Sequence, residues 1–400
     1  MNADSVIPIR PVPIPDDAAL QRTTAWVKKT AADHGLSVSA VTSVDPFPEA
    51  AAVLHDRLDA GHLAGMDWFT HDRVDVSEDI RNLHSTAKSI LSVGLTYWSG
   101  QVEKPDDGVR RGRISRYAWG RDYHRVIKKR MKALHADLEA TLGHAIEARF
   151  LVDTARVMER AVAARSGLGW YGKHSCIIVP GHGSWVLLGE LVLDIPLMPD
   201  APLDWNCGNC RICLDRCPTG AIVDAYTVNA PTCISFLTIE ERGWIPRDLR
   251  PKMGDWVYGC DVCQNVCPYT KAAKVTDDAE MAPATLANAF PSLHWLLRMT
   301  DTEFGASYFG TPVPRTKRRG LARNAAIALG NTGDGSDMPA LAEAIASHDE
   351  PLVRGHAAWA LGRLAKHDVS TARRALDAAR RAEPDAEVRA EIVAALEEIA

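Results

Sequence analysis

Eight of the nine cysteines in this 400-residue chain lie between Cys207 and Cys267, a crowding that suits metal ligation better than a set of scattered thiols. Cys207, Cys210, Cys213 and Cys217, followed by Pro218, form C-x2-C-x2-C-x3-C-P. In that spacing three thiolates wrap one iron-sulfur cubane and the fourth is directed at a second. A partner run is therefore required. It is present as Cys260, Cys263 and Cys267 before Pro268, but its middle cysteine is missing, and Cys233 is the only other cysteine in the segment. Four ligands per cubane then give one set of Cys207, Cys210, Cys213 and Cys267 and another of Cys217, Cys233, Cys260 and Cys263. C-x2-C pairs also build zinc sites, yet zinc would need neither the third interlocked cysteine nor a Cys-Pro ending on both runs. Two 4Fe-4S clusters are expected, and because they carry single electrons, the electrons' destination must lie elsewhere in the chain.

Three further features invite chemistry. Asp153 ends an apolar run, FLVD; to act as an acid at neutral pH it needs burial or substrate contact to raise its pKa from about 3.9. The competing reading is a cap on a helix beginning near Ala155, a common use of Asp. Gly167, Gly169 and Gly172 match G-x-G-x-x-G, but they follow a helical stretch (157–165) and precede strand-like CIIV, the reverse of the dinucleotide-binding order. Cys176, inside SCIIV, reads as a buried core thiol.

These groups need elements to hold them, and the length suits two or three domains. Forty-six basic against 51 acidic residues leave a net charge of −5, with 46% apolar residues, which excludes both a disordered chain and a uniformly basic nucleic-acid coat. Residues 1–18 alternate Pro with Ile and Val and read as an extended tail; the N-terminus has neither a secretory core nor a twin-arginine pair, so a cytoplasmic address is expected. Over 19–202, helical stretches (25–34, 123–142) alternate with β-branched runs (89–97, 176–179), which indicates an α/β domain. The apolar run 184–198 contains Glu190, Asp194 and Pro196 and is too short to span a bilayer; it reads as a buried strand, and no membrane association is expected. Residues 203–275 form a small ferredoxin-like two-cluster domain in which ligand bonds replace apolar core, and 276–312 connect it onward. Over 313–400 the phrases LARNAAIALG, LVRGHAAWALG and EVRAEIVAA start at residues 321, 352 and 387, the recurrence of an all-α HEAT-like module with a partner-binding face.

Five segments resemble one family. RYAWGRDYHRVIKKRM (116–131), FLVDTARVMERAVAARSGLGWYGKH (150–174), CGNCRICLDRCPTGAI (207–222), CISFLTIEERG (233–243) and YGCDVCQNVCPYT (258–270) are similar to epoxyqueuosine reductases, the cobalamin-dependent iron-sulfur enzymes of transfer-RNA queuosine synthesis. The resemblance runs in order from about residue 20 to the C-terminus. It implies that the α/β domain binds cobalamin and that an external low-potential donor feeds it through the clusters. The implied reaction is two-electron removal of the epoxide oxygen from epoxyqueuosine at the wobble position of the anticodon, giving queuosine and water. It further implies Asp153 as the proton donor and cobalamin contacts at Arg73, Ser115, Asp153, Lys173, His174, Ser175 and Cys176. His174 is a departure, standing where the family would carry Asn. Asp122-Tyr123-His124 lacks the glycine of the D-x-H-x-x-G motif, so base-off cobalamin without a histidine ligand is expected, and His124 reads as a satisfied helix histidine.

A transfer-RNA partner asks for local positive charge. Residues 108–132 hold ten Lys or Arg and one acid, and 311–330 hold Arg315, Lys317, Arg318, Arg319 and Arg323 with no acid. Both stretches suit phosphates, although charge runs also solvate helix faces. Tyr117 and Trp119 suit either stacking on a splayed base or core packing. Two rivals share parts of this pattern. A reductive dehalogenase uses the same cofactors but has no use for a helical-repeat module, and a ferredoxin-type electron carrier with a docking scaffold would bind no corrinoid.

Overall fold

The computed structural model describes residues 17–400. The tail expected over 1–18 lies outside the described residues up to residue 16. Asp17 already caps the first helix, Ala18–Asp33, its carboxylate accepting the N–H groups of Ala19 and Leu20 at 2.9 and 3.0 Å. The chain forms two compact units, each assembled from three stretches. The first comprises residues up to 100, 120–231 and 262–282; the second comprises 101–119, 232–261 and 283–400.

The first unit is built on a four-stranded antiparallel sheet in the order Val38–Thr42, Ser89–Thr96, Val186–Leu193, Ala148–Leu151. The apolar run 184–198 supplies its long third strand. Ser89–Thr96 is buried at every residue, as a strand must be when both faces are covered. On one face Ile90 and Val192 join Ala161 and Val162 of the helix Glu159–Arg165 in a common core. On the other, Gly189 admits the helix Tyr123–Leu142: a Cβ there would lie 2.8 Å from Ile127 Cγ2. That helix buries Val126, Ile127, Met131, Leu134 and Leu138 along one stripe and ends at Gly143 with φ 74°.

The strand expected over 176–179 is the short Ile177–Ile178, paired with Trp170–Tyr171, while Val179 bridges Gly183. Glycines of the G-x-G-x-x-G match serve backbone packing: a Cβ on Gly169 would meet the carbonyl oxygen of Ile178 at 2.5 Å.

In the second unit each recurring phrase forms a helix, Lys317–Thr332, Pro351–Leu364 and Ala386–Glu398, separated by Met338–Ser347 and Val369–Ala382. The three phrase helices pack in succession, closely enough that a Cβ on Gly330 would fall 2.8 Å from Ala360 Cα. Each phrase has an arginine as its third residue, and each arginine is a joint. Arg323 donates to the carbonyls of Leu237, Glu241 and Gly243; Arg354 grips the Glu383 carboxylate at 2.8 Å; Arg389 donates to the Glu383 carbonyl at 2.7 Å. Among the described residues no helix is long and apolar enough to cross a membrane.

Arg250, 1% exposed, is held by Glu391 at 2.6 and 2.9 Å and by the Ile245 carbonyl at 2.8 Å. Removing the carboxylate strands a buried cation, which typically costs 3–5 kcal/mol. Glu391→Ala is expected to destabilise the second unit by about 3 kcal/mol, measurable as a lower urea midpoint by circular dichroism.

Candidate functional site

Asp153 leaves the end of the strand Ala148–Leu151 in a tight three-residue turn, closed by the Thr154 N–H on the Val152 carbonyl at 2.7 Å, with Asp153 itself at φ 53°. A non-glycine residue in that region is strained and persists only when its surroundings hold it. Three groups do so. The Glu159 carboxylate accepts the Asp153 N–H. Arg73 donates to the carbonyls of Thr154 and Ala155 at 3.2 and 2.8 Å. His124 Nε2 meets Asp153 Oδ2 at 3.0 Å, while its Nδ1 meets Asp122 Oδ1 at 2.8 Å. The helix anticipated near 155 begins instead at Glu159, with Met158 at its cap position. Asp153 is therefore not a helix cap, and its carboxylate faces a histidine.

That histidine is more than a satisfied helix residue. Burial opposes its charge, but Asp122 and Asp153 outweigh burial and raise its pKa to about 9. At neutral pH an imidazolium lies against Asp153, whose side chain is 52% exposed. The imidazolium thus places a proton within hydrogen-bonding distance of Asp153 Oδ2. Glu159 is also perturbed, pushed up to about 7 by burial and then by the nearby Asp153 charge. Sequence reasoning passed over Glu159 and the partnership of His124. The available signal was the D-x-H spacing at the start of a long helix.

Lys173, His174, Ser175 and Cys176 form a second turn. Ser175 is at φ 66°, and its carbonyl accepts from Arg160 at 2.9 Å. Glu159 and Arg160, adjacent at the start of one helix, therefore hold both strained turns. His174 is 4% exposed and neutral at physiological pH, burial lowering its pKa to about 4. Its Nδ1 accepts the Cys176 N–H at 3.2 Å, so the proton rides on Nε2, a buried donor with no partner; Ser175 Oγ is likewise buried and unpartnered. Two orphaned polar groups in one turn fit a bound polar molecule. In the second unit, Ser115 is buried and its hydroxyl donates to Asp261. There Trp119 donates its indole N–H to the Ile114 carbonyl at 2.7 Å, and Tyr117 lies 6.0 Å from Tyr258; for Trp119, 3% exposed, core packing is the observed role.

Cys207, Cys210, Cys213 and Cys267 converge within the first unit. Burial raises the Cys213 thiol to about 11, and Cys207, Cys267 and Cys210 each add to the effect. Crowded thiols in a poorly solvated site resist ionisation unless cations neutralise them. Among the described residues no three His, Cys, Asp or Glu side chains converge on one ion; a cubane asks for one thiolate per iron. Lys173 Nζ donates to the Gly208 carbonyl at 2.6 Å, and Trp170 packs with Cys207 and Cys267, so the Lys173–Cys176 turn rests on the cysteine loop. Of the remaining four cysteines, Cys217 and Cys263 belong to the first unit and Cys233 and Cys260 to the second.

The basic residues differ in availability. Arg323 is fully buried and spent on carbonyls, which leaves it no face for a phosphate. Arg318 is 8% exposed and paired with Asp301 and Asp349; Arg315 pairs with Glu240. Lys317 and Arg319 are exposed. In the 108–132 stretch, Arg110, Arg111, Arg113 and Arg116 are paired with acids, whereas Arg121, Lys129 and Lys132 are exposed.

Comparison with known proteins adds the family context. Residues 78–154 match the family described as epoxyqueuosine reductase QueG, DUF1730; 206–270 match a 4Fe-4S double cluster binding domain; 317–397 match HEAT repeats. Epoxyqueuosine reductase of Xanthomonas campestris pv. campestris is 36% identical over 352 residues, covering 87% of this chain and 97% of its own. A crystal structure of epoxyqueuosine reductase with an epoxyqueuosine-modified tRNA-Tyr stem loop superposes with a TM-score of 0.88 at 34% identity, covering 94% of this chain and 99% of that one. The Bacillus subtilis enzyme, solved with an aspartate-bearing catalytic loop swung out of the active site, gives a TM-score of 0.86 at 32% identity, with 94% of this chain and 99% of that one covered.

The His124 pKa carries a stability consequence. Raised from 6.5 to about 9 in the folded protein, it makes the His124 ion pairs contribute fully below pH 6.5, progressively less as pH rises toward 9, and nothing above. Urea unfolding of the wild type is expected to show this loss across pH 6.5–9, and His124→Gln to show a shallower one.

Proposed function

The chain belongs to the epoxyqueuosine reductase family, and from that premise we propose that this oxidoreductase removes the epoxide oxygen of epoxyqueuosine at the wobble position of transfer RNA, using cobalamin and two 4Fe-4S clusters. The observation that carries this reading is the junction at Glu159 and Arg160, which ties the Asp153 turn to the Ser175 turn, together with the link from Lys173 to the cysteine loop. An acid, a pair of unpartnered polar groups and a set of thiols thereby share one scaffold.

When bound, the clusters would pass single electrons from an external low-potential donor, and cobalamin would supply the two-electron reductant at the epoxide carbon. Asp153 delivers a proton to the departing oxygen. His124, oriented by Asp122, recharges Asp153 and keeps its carboxylate in place. Arg73 keeps the loop closed through Thr154 and Ala155, and this reading assigns cobalamin contacts to Arg73, Ser115, Asp153 and the turn Lys173, His174, Ser175 and Cys176. Cys207, Cys210, Cys213 and Cys267 would ligate one cluster, and Cys217, Cys233, Cys260 and Cys263 the other.

In functional terms 19–202 is the cobalamin and catalytic portion, 203–275 the two-cluster portion, 276–312 a connection and 313–400 the RNA-gripping repeats. Within the repeats, phosphate contact falls to Lys317 and Arg319, with Arg315 at the edge, while Arg318 and Arg323 hold the helix that presents them. A transfer-RNA substrate places the work in the cytoplasm.

The test is anaerobic reconstitution with iron, sulfide and cobalamin, followed by mass analysis of the wobble nucleoside after incubation with epoxyqueuosine-containing transfer RNA. Loss of 16 mass units, one oxygen, is the expected outcome; iron of about two atoms or fewer per chain, or no affinity for vitamin B12, would sink the reading. Asp153→Asn should keep clusters and cobalamin and lose turnover. Replacing Lys317 and Arg319 together by Ala is expected to weaken stem-loop binding and to flatten the salt dependence of its association constant by a log–log slope of about 1 to 2.

A further inference from the structure

Converting an epoxide to an alkene and water takes two electrons and two protons, and Asp153 can carry only one proton at a time. A source for the second is therefore needed. Glu190 lies in the middle of the strand Val186–Leu193 and is 0% exposed, and neither of its carboxyl oxygens has a hydrogen-bond partner. Its cross-strand neighbours are Ser92, whose hydroxyl is also buried and unpartnered, and Leu151. Leu188 and Val192, on the same face of the strand, pack in the core shared with the helix Glu159–Arg165. Glu190 therefore faces the helix whose first residue, Glu159, holds the Asp153 N–H.

A carboxylate ion in that position would be desolvated with nothing to compensate it, whereas the neutral acid costs far less. Burial and then the Glu159 charge raise the Glu190 pKa well above the ordinary range, and Glu159 itself is raised to about 7. The charged groups acting on Glu159 are Asp153, which disfavours its ionisation, and Arg160 and His124, which favour it. The Glu159 charge thus opposes ionisation of Glu190 on top of its burial.

We propose that Glu190 is a buried proton reserve for the reaction, passing its proton through Glu159 to Asp153. The inference rests on the epoxide-reducing function proposed above. In the first step Asp153, recharged by the His124 imidazolium, protonates the departing epoxide oxygen. In the second, Glu190, which has no hydrogen-bond partner at rest, turns to meet Glu159; its carboxyl O–H bond breaks as Glu159 takes the proton, Glu159 passes one to the Asp153 carboxylate, and Asp153 completes the water molecule. The two electrons come from the external low-potential reductant. Glu190, left as a carboxylate, regains its proton before the next turnover. Glu159 and Glu190 do not touch the epoxide; they act through Asp153.

The test uses the full cluster-loaded chain and the isosteric variants Glu190→Gln and Glu159→Gln, with iron content and melting temperature matched to wild type. In infrared spectra without cobalamin, the wild type at pH 8 is expected to show the carbonyl stretch of a protonated carboxyl, and Glu190→Gln to lose it. In single turnovers with cobalamin, dithionite and an epoxyqueuosine stem loop, both variants should convert at least about tenfold more slowly, with unchanged stem-loop Kd. The wild-type rate should fall as pH rises through about 7, the range in which Glu159 loses its proton, and Glu159→Gln should flatten that profile. An infrared band that survives in Glu190→Gln overturns the proposal, as do variants that turn over at the wild-type rate; either failure leaves the function standing if the wild type is active. A wild type that removes no oxygen overturns the function and the proposal together.

Discussion

A left-handed turn at a non-glycine residue must be held by its neighbours, and at Asp153 that requirement organises the site. Each of the three groups that hold it has a second connection. Glu159 begins the helix that packs on the sheet and stands beside Arg160, which holds the turn at Ser175. His124 is anchored by Asp122 at the head of the long helix crossing the opposite face. Arg73 comes from the short helix His71–Glu78 and reaches the next two carbonyls. Strain at one residue is thus balanced by elements from both faces of the sheet, so the carboxyl group is placed by the fold as a whole.

Charge in this site is set by the balance of burial against neighbouring charge. The imidazolium of His124 exists because two carboxylates outweigh its burial, and burial weakens the acidity of Glu159 and Glu190, with the Asp153 charge adding to the effect at Glu159 and the Glu159 charge at Glu190. Cations and acids of opposite tendency surround one exposed carboxyl group. The cysteine loop follows related physics: thiols crowded together resist ionisation, and metal cations relieve that resistance.

In the second unit most of the positive charge serves the architecture. Arg323, Arg354 and Arg389 occupy one position of the repeated phrase and all hold other segments, and Arg250 ties 244–250 to the last helix through Glu391. A run of basic residues therefore overstates the charge available to a phosphate. Lys317 and Arg319 remain exposed because their positions on the helix turn away from the core that takes Arg318 and Arg323.

Spacing and periodicity carried much of the protein in the sequence itself. The cysteine runs declare iron-sulfur chemistry because ligand geometry is local. The recurring LARN, LVRG and EVRA phrases declare stacked helices because each repeat buries the same face, and the run around Leu191 declares a buried strand by its composition. What only the folded chain decided were pairings between residues far apart in sequence. In the sequence Asp153 suits a helix cap, whereas the helix starts at Glu159, and His124 takes its role from a carboxylate 29 residues away. Glu190 looked like a mere interruption of an apolar run, and Arg323 like a phosphate ligand. Local sequence records which chemical groups are present and their period along the chain, but whether a charge is solvated, paired or buried depends on long-range packing, and at this site that packing sets the chemistry.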